Sequence, residues 1–168
     1  MNSQFVSVES IKRTRGSLKK DIGVYKWWCD KSKIEQLLKP LNKRWKEVKD
    51  FLESNGDLFC FYVGQTKNKQ GFAKRIKGQH LRSIKNSTLR RSLVALFNSE
   101  DETNSFLDKC YLSMETLDAS EIDEKEKFEI NKKLRLLNLD DLDDTLETVQ
   151  KFREIRKEIV KTLKSKRK

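Results

Sequence analysis

Two tyrosines stand beside glycines in the first half of the chain, in the triplets Gly23-Val24-Tyr25 and Tyr62-Val63-Gly64. A glycine within a strand often marks a place where another backbone or a ligand comes close, so the two phenols are candidates for one site. Arg75 and the only histidine, His80, follow the second triplet, and Glu126 comes much later. A phenol, a guanidinium, an imidazole and a carboxylate are together sufficient for hydrolysis of a phosphodiester.

The two tyrosines lie in short apolar runs that are typical of buried strands. Residues 22–29 and 58–65 are rich in aromatic and β-branched residues, and breakers flank both runs. Residues 110–115 form a third, weaker candidate. These strands are the elements that must position the phenols.

An amphipathic segment separates the first two strands. Apolar residues recur at intervals of three and four over residues 31–55, which predicts a helix that covers the sheet. Ser32 is a plausible N-cap, and Asn55-Gly56 is a plausible stop. Pro40 interrupts the segment, which predicts either a kink or two abutting helices. The stripe keeps its phase across Pro40, which favours the kink.

Helical spacing returns in the rest of the chain. We expect two helices between Gly71 and Phe97, a third over 119–137 and a fourth over 145–163, the last followed by the basic tail KSKRK. Residues 1–20 lack sustained periodicity. They are interpreted as a loose basic arm, which is either a solvated tail or a segment that orders against the body or against a phosphate backbone.

The chain is strongly basic: 38% of its 168 residues are charged, and the formal net charge is +11. Such an excess favours a polyanionic partner, because cations that neutralise phosphates release counterions. Leu58 to Ser99 contains no Asp or Glu, whereas a merely solvated helix pair usually carries acids for ion pairing. We therefore expect this segment to face phosphates. Its candidate nucleic-acid-binding residues are Lys67, Lys69, Lys74, Lys77, Arg82, Arg90 and Arg91.

The cysteines and the apolar residues indicate in which cellular compartment the protein is expected. Cys29, Cys60 and Cys110 are odd in number and form no CxxC pair, so spacing predicts neither a disulfide framework nor a zinc site. The N-terminal residues lack an apolar signal region, and no run approaches the roughly twenty apolar residues that span a bilayer. We expect a cytoplasmic protein in a reducing compartment, with no membrane partner.

The order of these motifs resembles the GIY-YIG nuclease family, which includes restriction, homing and repair-type endonucleases. GVY at 23–25 and YVG at 62–64 stand for the two halves of the family name. GFAKRIKGQH at 71–80 is similar to the family's arginine-bearing helix. Glu126 in EKFEI and Asn138 in LLNLDD are similar to its metal-binding glutamate and terminal asparagine. The resemblance covers about residues 21–140, with residues 141–168 as a C-terminal helix and tail.

The resemblance implies a fold as well as an activity. We expect an α/β domain with a small central antiparallel sheet of about three strands, flanked by helices, with a helical insert at 31–55. A single Mg²⁺ or Mn²⁺ ion would be held by Glu126 and the scissile phosphate, with Glu129 as the fallback ligand.

The resemblance also implies roles for the other site residues. Tyr25, or alternatively Tyr62, would help water attack phosphorus, and Arg75 would stabilise the charged transition state. His80 would orient the nucleophile or contact the phosphate. Gly23, Gly64 and Asn138 would have structural roles, the last by tying backbone near the site.

Three features depart from the family pattern. The half-motifs are separated by residues 26–61 rather than by a short hairpin. His80 follows Arg75 by five positions instead of four, which rotates it by about 100° unless the helix starts late or bulges at Gly78. Arg135 replaces a proline that often precedes the family asparagine, and we expect this position to matter little.

Three functions follow as hypotheses. The first is a metal-dependent DNA endonuclease, and the second is a non-catalytic nucleic-acid-binding module on the same scaffold. The third is a protein-interaction domain that uses the apolar stripe of 145–163. DNA is the expected partner, and RNA stays open. Specificity would come from the insert, the arm, the basic tail, a homodimer or a partner chain, and the sequence does not choose between restriction, mobile-element and repair roles.

Overall fold

A computed structural model of the chain describes residues 4–14, 18, 20–82, 86–138 and 150–167. Its centre is an antiparallel sheet of five strands, in the spatial order β1-β5-β2-β4-β3. The strands are β1 (Val6–Ser7), β2 (Gly23–Asp30), β3 (Glu53–Asn55), β4 (Leu58–Thr66) and β5 (Tyr111–Thr116).

The sheet is larger than the expected three strands. Strands β2, β4 and β5 are the three that the apolar runs predict, and they form its centre. The two additional strands, β1 and β3, are two and three residues long, too short to produce a detectable alternation of apolar residues. Strand β1 lies in the basic N-terminal segment, whose described residues 4–14 pack against the body: Val8 and Ile11 are fully buried.

Seven α-helices surround the sheet in the described part of the chain. They are α1 (Val8–Arg13), α2 (Lys31–Leu38), α3 (Trp45–Val48), α4 (Thr88–Phe97), α5 (Glu100–Asp108), α6 (Ile122–Lys132) and α7 (Gln150–Lys166). A π-helix spans Ala73–His80. Helix α5 was not expected, because its sequence is acidic and shows little apolar periodicity. The predicted start of the last helix lies outside the described residues.

The prediction of one kinked helix in the insert is wrong. Helix α2 ends at Leu38, and Lys39–Leu41, with Pro40 at its centre, form a 3₁₀ turn. Asn42 then takes a left-handed conformation with φ 54°, which ends the helical path, and α3 starts separately at Trp45. Proline removes a backbone donor, so the chain divides into two helices there.

The two predicted ends of the insert helix also differ from the structure. Asp30, rather than Ser32, is the N-cap of α2, since its carboxylate accepts a hydrogen bond from the Lys33 amide at 2.9 Å. At the other end, Asn55 belongs to β3, and Gly56 forms the turn into β4 with φ 58°. A left-handed residue in a tight hairpin turn favours glycine.

The sheet separates two apolar cores. Helices α2, α4, α5 and α7 pack on one face, against side chains that include Tyr25, Trp27 and Tyr62. Helix α6 packs on the opposite face, against Val24 and Trp28. Successive strand residues point to opposite faces, which separates the two tryptophans.

Regular pairing of β2 with β4 places both site tyrosines on the same face of the sheet. Tyr25 pairs with Gly64 and Trp27 pairs with Tyr62, and residues two apart in a strand share a face. A β-bulge follows directly, because Trp28 pairs with Cys60 and leaves Phe61 as an extra residue, so that Phe61 and Tyr62 both belong to the core that contains Tyr25.

Two further findings concern the cysteines and the helices. Cys29, Cys60 and Cys110 are buried and form no disulfide. None of the helices in the described ranges is both long and apolar enough to cross a bilayer.

Candidate active site

Tyr25 is the centre of a hydrogen-bonded cluster. Its hydroxyl oxygen lies 2.6 Å from His80 Nε2 and accepts the Nε–H of Arg75 at 3.0 Å. The side chain is fully buried. Gly64 makes room for it, because a Cβ atom at that position would lie 2.5 Å from the Tyr25 hydroxyl oxygen. This close approach explains why β4 carries a glycine opposite the tyrosine.

The π-helix explains how Arg75 and His80 reach the same phenol. In a π-helix the amide of residue i+5 bonds the carbonyl of residue i, and the Leu81 amide bonds the Ile76 carbonyl in this way at 3.0 Å. The wider turn brings residues five positions apart onto one side. The offset that an α-helix would impose between Arg75 and His80 is therefore absent.

His80 is fully buried between aromatic rings. Its ring centroid lies 5.4 Å from that of Tyr25, 5.7 Å from that of Trp27 and 5.9 Å from that of Tyr62, all in edge-to-face geometry. Burial, and then the positive charge of Arg75, lower the pKa of His80 well below its usual value. His80 is therefore a neutral imidazole at pH 7, with one nitrogen able to accept a proton.

Arg75 is fixed by three contacts. Besides the bond to Tyr25, its Nη1 donates to the side-chain oxygen of Gln79 and, at 3.0 Å, to the carbonyl of Asn86. Burial alone would lower its pKa, but the nearby Tyr25, Tyr62 and Glu126 raise it, so the group stays cationic. Nη2 has no hydrogen-bond partner among the described residues and is available to an anion.

Tyr62 and Tyr25 share His80 but differ in exposure. Tyr62 retains 5% of its surface exposed, whereas Tyr25 retains none. Burial raises the pKa of the Tyr25 phenol, and the nearby Glu126 carboxylate raises it further, whereas Arg75 lowers it. The net effect is upward, so Tyr25 is protonated in the free protein at neutral pH.

Glu126 lies on the side of α6 that packs on the sheet. Ile122 and Ile130 flank it at intervals of four residues, and both are buried in the core beneath that helix. The carboxylate is half-buried and acts electrostatically on both Tyr25 and Arg75. Among the several acids of α6, it is therefore the one whose charge acts on the phenol cluster, although α6 packs on the face of the sheet opposite Tyr25.

The described residues contain no group of three or more His, Cys, Asp or Glu side chains that could hold a metal. A single carboxylate still suits Mg²⁺, which commonly binds one or two carboxylates together with substrate phosphates and water. The hard oxygen donor of Glu126 fits this requirement.

Glu129, the fallback ligand, has other partners. It is 4% exposed, and its carboxylate forms ion pairs with Lys26 at 2.6 Å and with Lys125 at 3.6 Å. Arg135 is fully buried in the same network and forms an ion pair with Glu53. The expectation that Arg135 matters little is therefore wrong, and Glu129 is bound within a structural ion-pair network.

Asn138 makes two hydrogen bonds to the backbone of β4. Its side-chain oxygen accepts the Val63 amide at 2.9 Å, and its side-chain nitrogen donates to the Val63 carbonyl at 2.8 Å. Strand β3 pairs only with Leu58–Cys60, so Val63 lies on an edge that β3 does not reach. Asn138 thus holds the residue between Tyr62 and Gly64.

The predicted phosphate-facing cations differ in their surroundings. Four of them are exposed: Lys69, Lys74, Arg82 and Arg91. Lys67 is also exposed but forms an ion pair with Asp123. Lys77 is half-buried and donates to the Thr14 carbonyl at 2.8 Å.

Arg90 does not belong to this surface. It is 4% exposed, and its guanidinium donates to Asn104 at 2.9 Å and forms an ion pair with Glu100. These contacts direct its charge into the protein, so the assignment of Arg90 to nucleic-acid binding is corrected to a structural role.

A family model described as the GIY-YIG catalytic domain matches residues 23–166. The chain belongs to the GIY-YIG family. The match begins at Gly23 and extends past residue 140 to include α7. Comparisons with curated proteins and with solved structures found no match. Membership of the GIY-YIG family supports a nuclease-type function with a nucleic-acid substrate.

Two contacts of this GIY-YIG site were not predicted. Ser87 Oγ lies 2.6 Å from His80 Nδ1, and Gln79 accepts from Arg75. Ser87 is also the N-cap of α4, where its oxygen accepts the Arg90 amide at 2.9 Å. A serine directly before a predicted helix is a recognisable capping signal. Its contact with His80 depends on the tertiary fold and has no sequence signal.

Proposed function

We propose that this protein is a metal-dependent endonuclease that hydrolyses phosphodiester bonds in DNA. The observation that carries the proposal is the cluster in which Tyr25 contacts both His80 Nε2 and Arg75 Nε, with Glu126 acting on it electrostatically. The cluster lies inside the region that matches the GIY-YIG catalytic domain.

Arg75 would bind the scissile phosphate. Its Nε and Nη1 are engaged with Tyr25, Gln79 and Asn86, which holds the guanidinium plane in place before substrate arrives. Nη2 is then directed at the anion without a further loss of side-chain entropy. A planar cation placed in advance stabilises the charge that develops on phosphorus in the transition state.

Tyr25 and His80 would move the proton of the attacking water. As the new oxygen–phosphorus bond forms, the water gives a proton to the Tyr25 oxygen, and the phenol passes its own proton to His80 Nε2. The leaving oxygen departs with the electron pair of the broken bond and takes a proton from bulk water. The raised pKa of Tyr25 means that it needs such a base, and neutral His80 supplies one at 2.6 Å. Tyr25 is fully buried, so the proposal requires that substrate binding opens a path to its hydroxyl.

Glu126 would hold one divalent ion together with the scissile phosphate. Mg²⁺ and Mn²⁺ are the candidates, and when bound the ion supplies positive charge that neutralises phosphate oxygens. The exposed cations Lys69, Lys74, Arg82 and Arg91 would contact the flanking DNA backbone.

The test is cleavage of duplex and branched DNA by the purified protein with Mg²⁺ or Mn²⁺, with an RNA duplex as a parallel substrate. Glu126→Gln is expected to abolish cleavage. Glu124→Gln is the matched control, because Glu124 is exposed on the same helix, and it is expected to retain activity. Salt-dependent binding without cleavage by the wild-type protein under either metal would contradict the proposal.

A second pair of variants tests the choice of tyrosine. Tyr25→Phe is expected to lower the cleavage rate by about 10²- to 10⁴-fold, the usual contribution of a proton-transfer group. Tyr62→Phe keeps the ring that contacts His80 and is expected to lower it much less. The reverse order would assign proton transfer to Tyr62.

A further inference from the structure

His80 is held at both ring nitrogens. Nε2 lies 2.6 Å from the Tyr25 hydroxyl, and Nδ1 lies 2.6 Å from Ser87 Oγ. A neutral imidazole has one donor and one acceptor nitrogen, so the bond at one side decides the chemistry at the other. Ser87 is fully buried, so bulk water cannot replace its hydrogen-bond partners.

We propose that Ser87 is a positioning residue: its oxygen accepts Nδ1–H of His80 and so keeps Nε2 unprotonated and facing Tyr25. Its catalytic consequence rests on the proposed nuclease function, because only an unprotonated Nε2 can take the phenol's proton. The tautomer itself is independent of that function.

The hydrogen bonds of Tyr25 favour this tautomer. The phenol oxygen already accepts Nε–H of Arg75. If His80 also donated to it, the hydrogen of a fully buried phenol would have no acceptor among the described residues, which costs about 1–3 kcal/mol. In the proposed tautomer the hydrogen left without a described acceptor is that of the Ser87 hydroxyl, a weaker donor than a phenol.

The charge of Arg75 favours the same tautomer. The guanidinium and His80 Nε2 contact the same oxygen atom, so the cation lies on the Nε2 side of the imidazole. A lone pair on the nitrogen nearer a positive charge is more stable than an N–H group there, because the lone pair is the negative end of the ring dipole.

Ser87 can hold this position because the backbone fixes it. As the N-cap of α4 it accepts the Arg90 amide at 2.9 Å, and Nδ1–H then fills its second lone pair. The start of α4 and the orientation of His80 are thereby linked through one oxygen atom.

The experiment measures the tautomer directly. His80 is the only histidine in the chain, so ¹⁵N-histidine labelling of the full-length protein gives imidazole signals that need no assignment between residues. Long-range ¹H–¹⁵N spectra at pH 7.5 are expected to show one species, protonated at Nδ1. Protonation at Nε2 in the wild-type protein would overturn the proposal.

Ser87→Gly removes the hydroxyl while keeping most of the capping stability, since glycine is itself acceptable at an N-cap. The nitrogen shifts are expected to move toward protonation at Nε2 or an average of both tautomers. Ser99→Gly is the matched control, because Ser99 caps α5 through the Glu102 amide at 3.1 Å and does not contact the site. It is expected to leave the shifts unchanged. Unchanged shifts in folded Ser87→Gly would overturn the proposal.

Kinetics separate this inference from the proposed function. If the wild-type protein cleaves DNA, Ser87→Gly is expected to lower kcat by about 10- to 100-fold with KM retained, the range seen when the partners that orient metal-ligating histidines are removed. An unchanged kcat in folded Ser87→Gly would overturn the positioning role. Absence of cleavage by the wild-type protein would overturn the nuclease proposal alone, because the tautomer is read without activity.

Discussion

The two hydrogen bonds between Asn138 and Val63 provide a quantitative test of how the site is held. Val63 is fully buried and Asn138 is 2% exposed, so neither bond is readily replaced by water. Asn138→Ala would leave one amide and one carbonyl of β4 unpaired. Each buried unpaired group costs about 1–3 kcal/mol, which predicts a loss of about 2–6 kcal/mol in unfolding free energy.

Asn138→Asp separates the bonding pattern from side-chain size. The carboxylate has nearly the same volume and accepts the Val63 amide, but it has no N–H for the Val63 carbonyl and places two oxygens against each other. We therefore expect a destabilisation comparable to that of Asn138→Ala. Asn68→Ala is the control, since Asn68 makes an exposed bond to the Gln70 amide at 2.9 Å. Its cost should stay below about 1 kcal/mol.

Urea denaturation followed by circular dichroism measures these differences, and thermal scans should show a Tm lower by about 2–4 °C per kcal/mol for a chain of this size. An Asn138→Asp variant that unfolds at the same urea midpoint as the wild-type protein would show that these two hydrogen bonds do not stabilise β4. Equal destabilisation of Asn68→Ala and Asn138→Ala would show the same.

Three further predictions concern packing, pH and buried charge. Gly64→Ala would push a Cβ against the Tyr25 phenol, so it is expected to lower the unfolding free energy by about 1–3 kcal/mol and to remove most of the DNA cleavage. Gly78→Ala is the control, because its Cβ would lie 3.7 Å from Lys74, and it should change neither stability nor cleavage. The lowered pKa of His80 means that, below pH ~6.5, the unfolded chain binds a proton that the folded chain does not. Urea titrations should therefore show an unfolding free energy that falls by up to about 1.4 kcal/mol for each pH unit below pH ~6.5. An unfolding free energy that does not change with pH, or an equal slope in His80→Gln, would contradict this. Arg135→Met would remove a fully buried cation from Glu53 and Glu129, which would keep Lys26 as a partner, and should cost about 1–3 kcal/mol; an unfolding free energy equal to that of the wild-type protein would contradict it.

The sequence predicted the centre of the fold because its signals there are local. Strands β2, β4 and β5 are apolar runs with breakers at their ends, and family membership was predicted from the order of GVY, YVG, Arg75 and Glu126. Strands β1 and β3 were missed because two or three residues carry no periodicity. The prediction of a helix kinked at Pro40 was wrong because the apolar residues keep their helical spacing through two separate helices. Spacing alone does not show that the helix ends between them.

The candidate site shows the same limit. Its residue types are readable from the sequence, but their partners depend on tertiary contacts. Arg90 resembles an exposed cation until Glu100 and Asn104 are seen around it. Arg135 was expected to matter little as a replacement for the family's proline, because the sequence does not show that it is buried beside Glu53.

The π-helix also affects how related chains should be compared. Because its turns are wider than those of an α-helix, Arg75 contacts Gln79 directly and also shares the Tyr25 hydroxyl with His80. The π-helical winding thus brings Arg75 and His80 to the same phenol although five positions separate them. A search pattern that demands an interval of four positions between arginine and histidine would pass over this chain, although both side chains contact Tyr25.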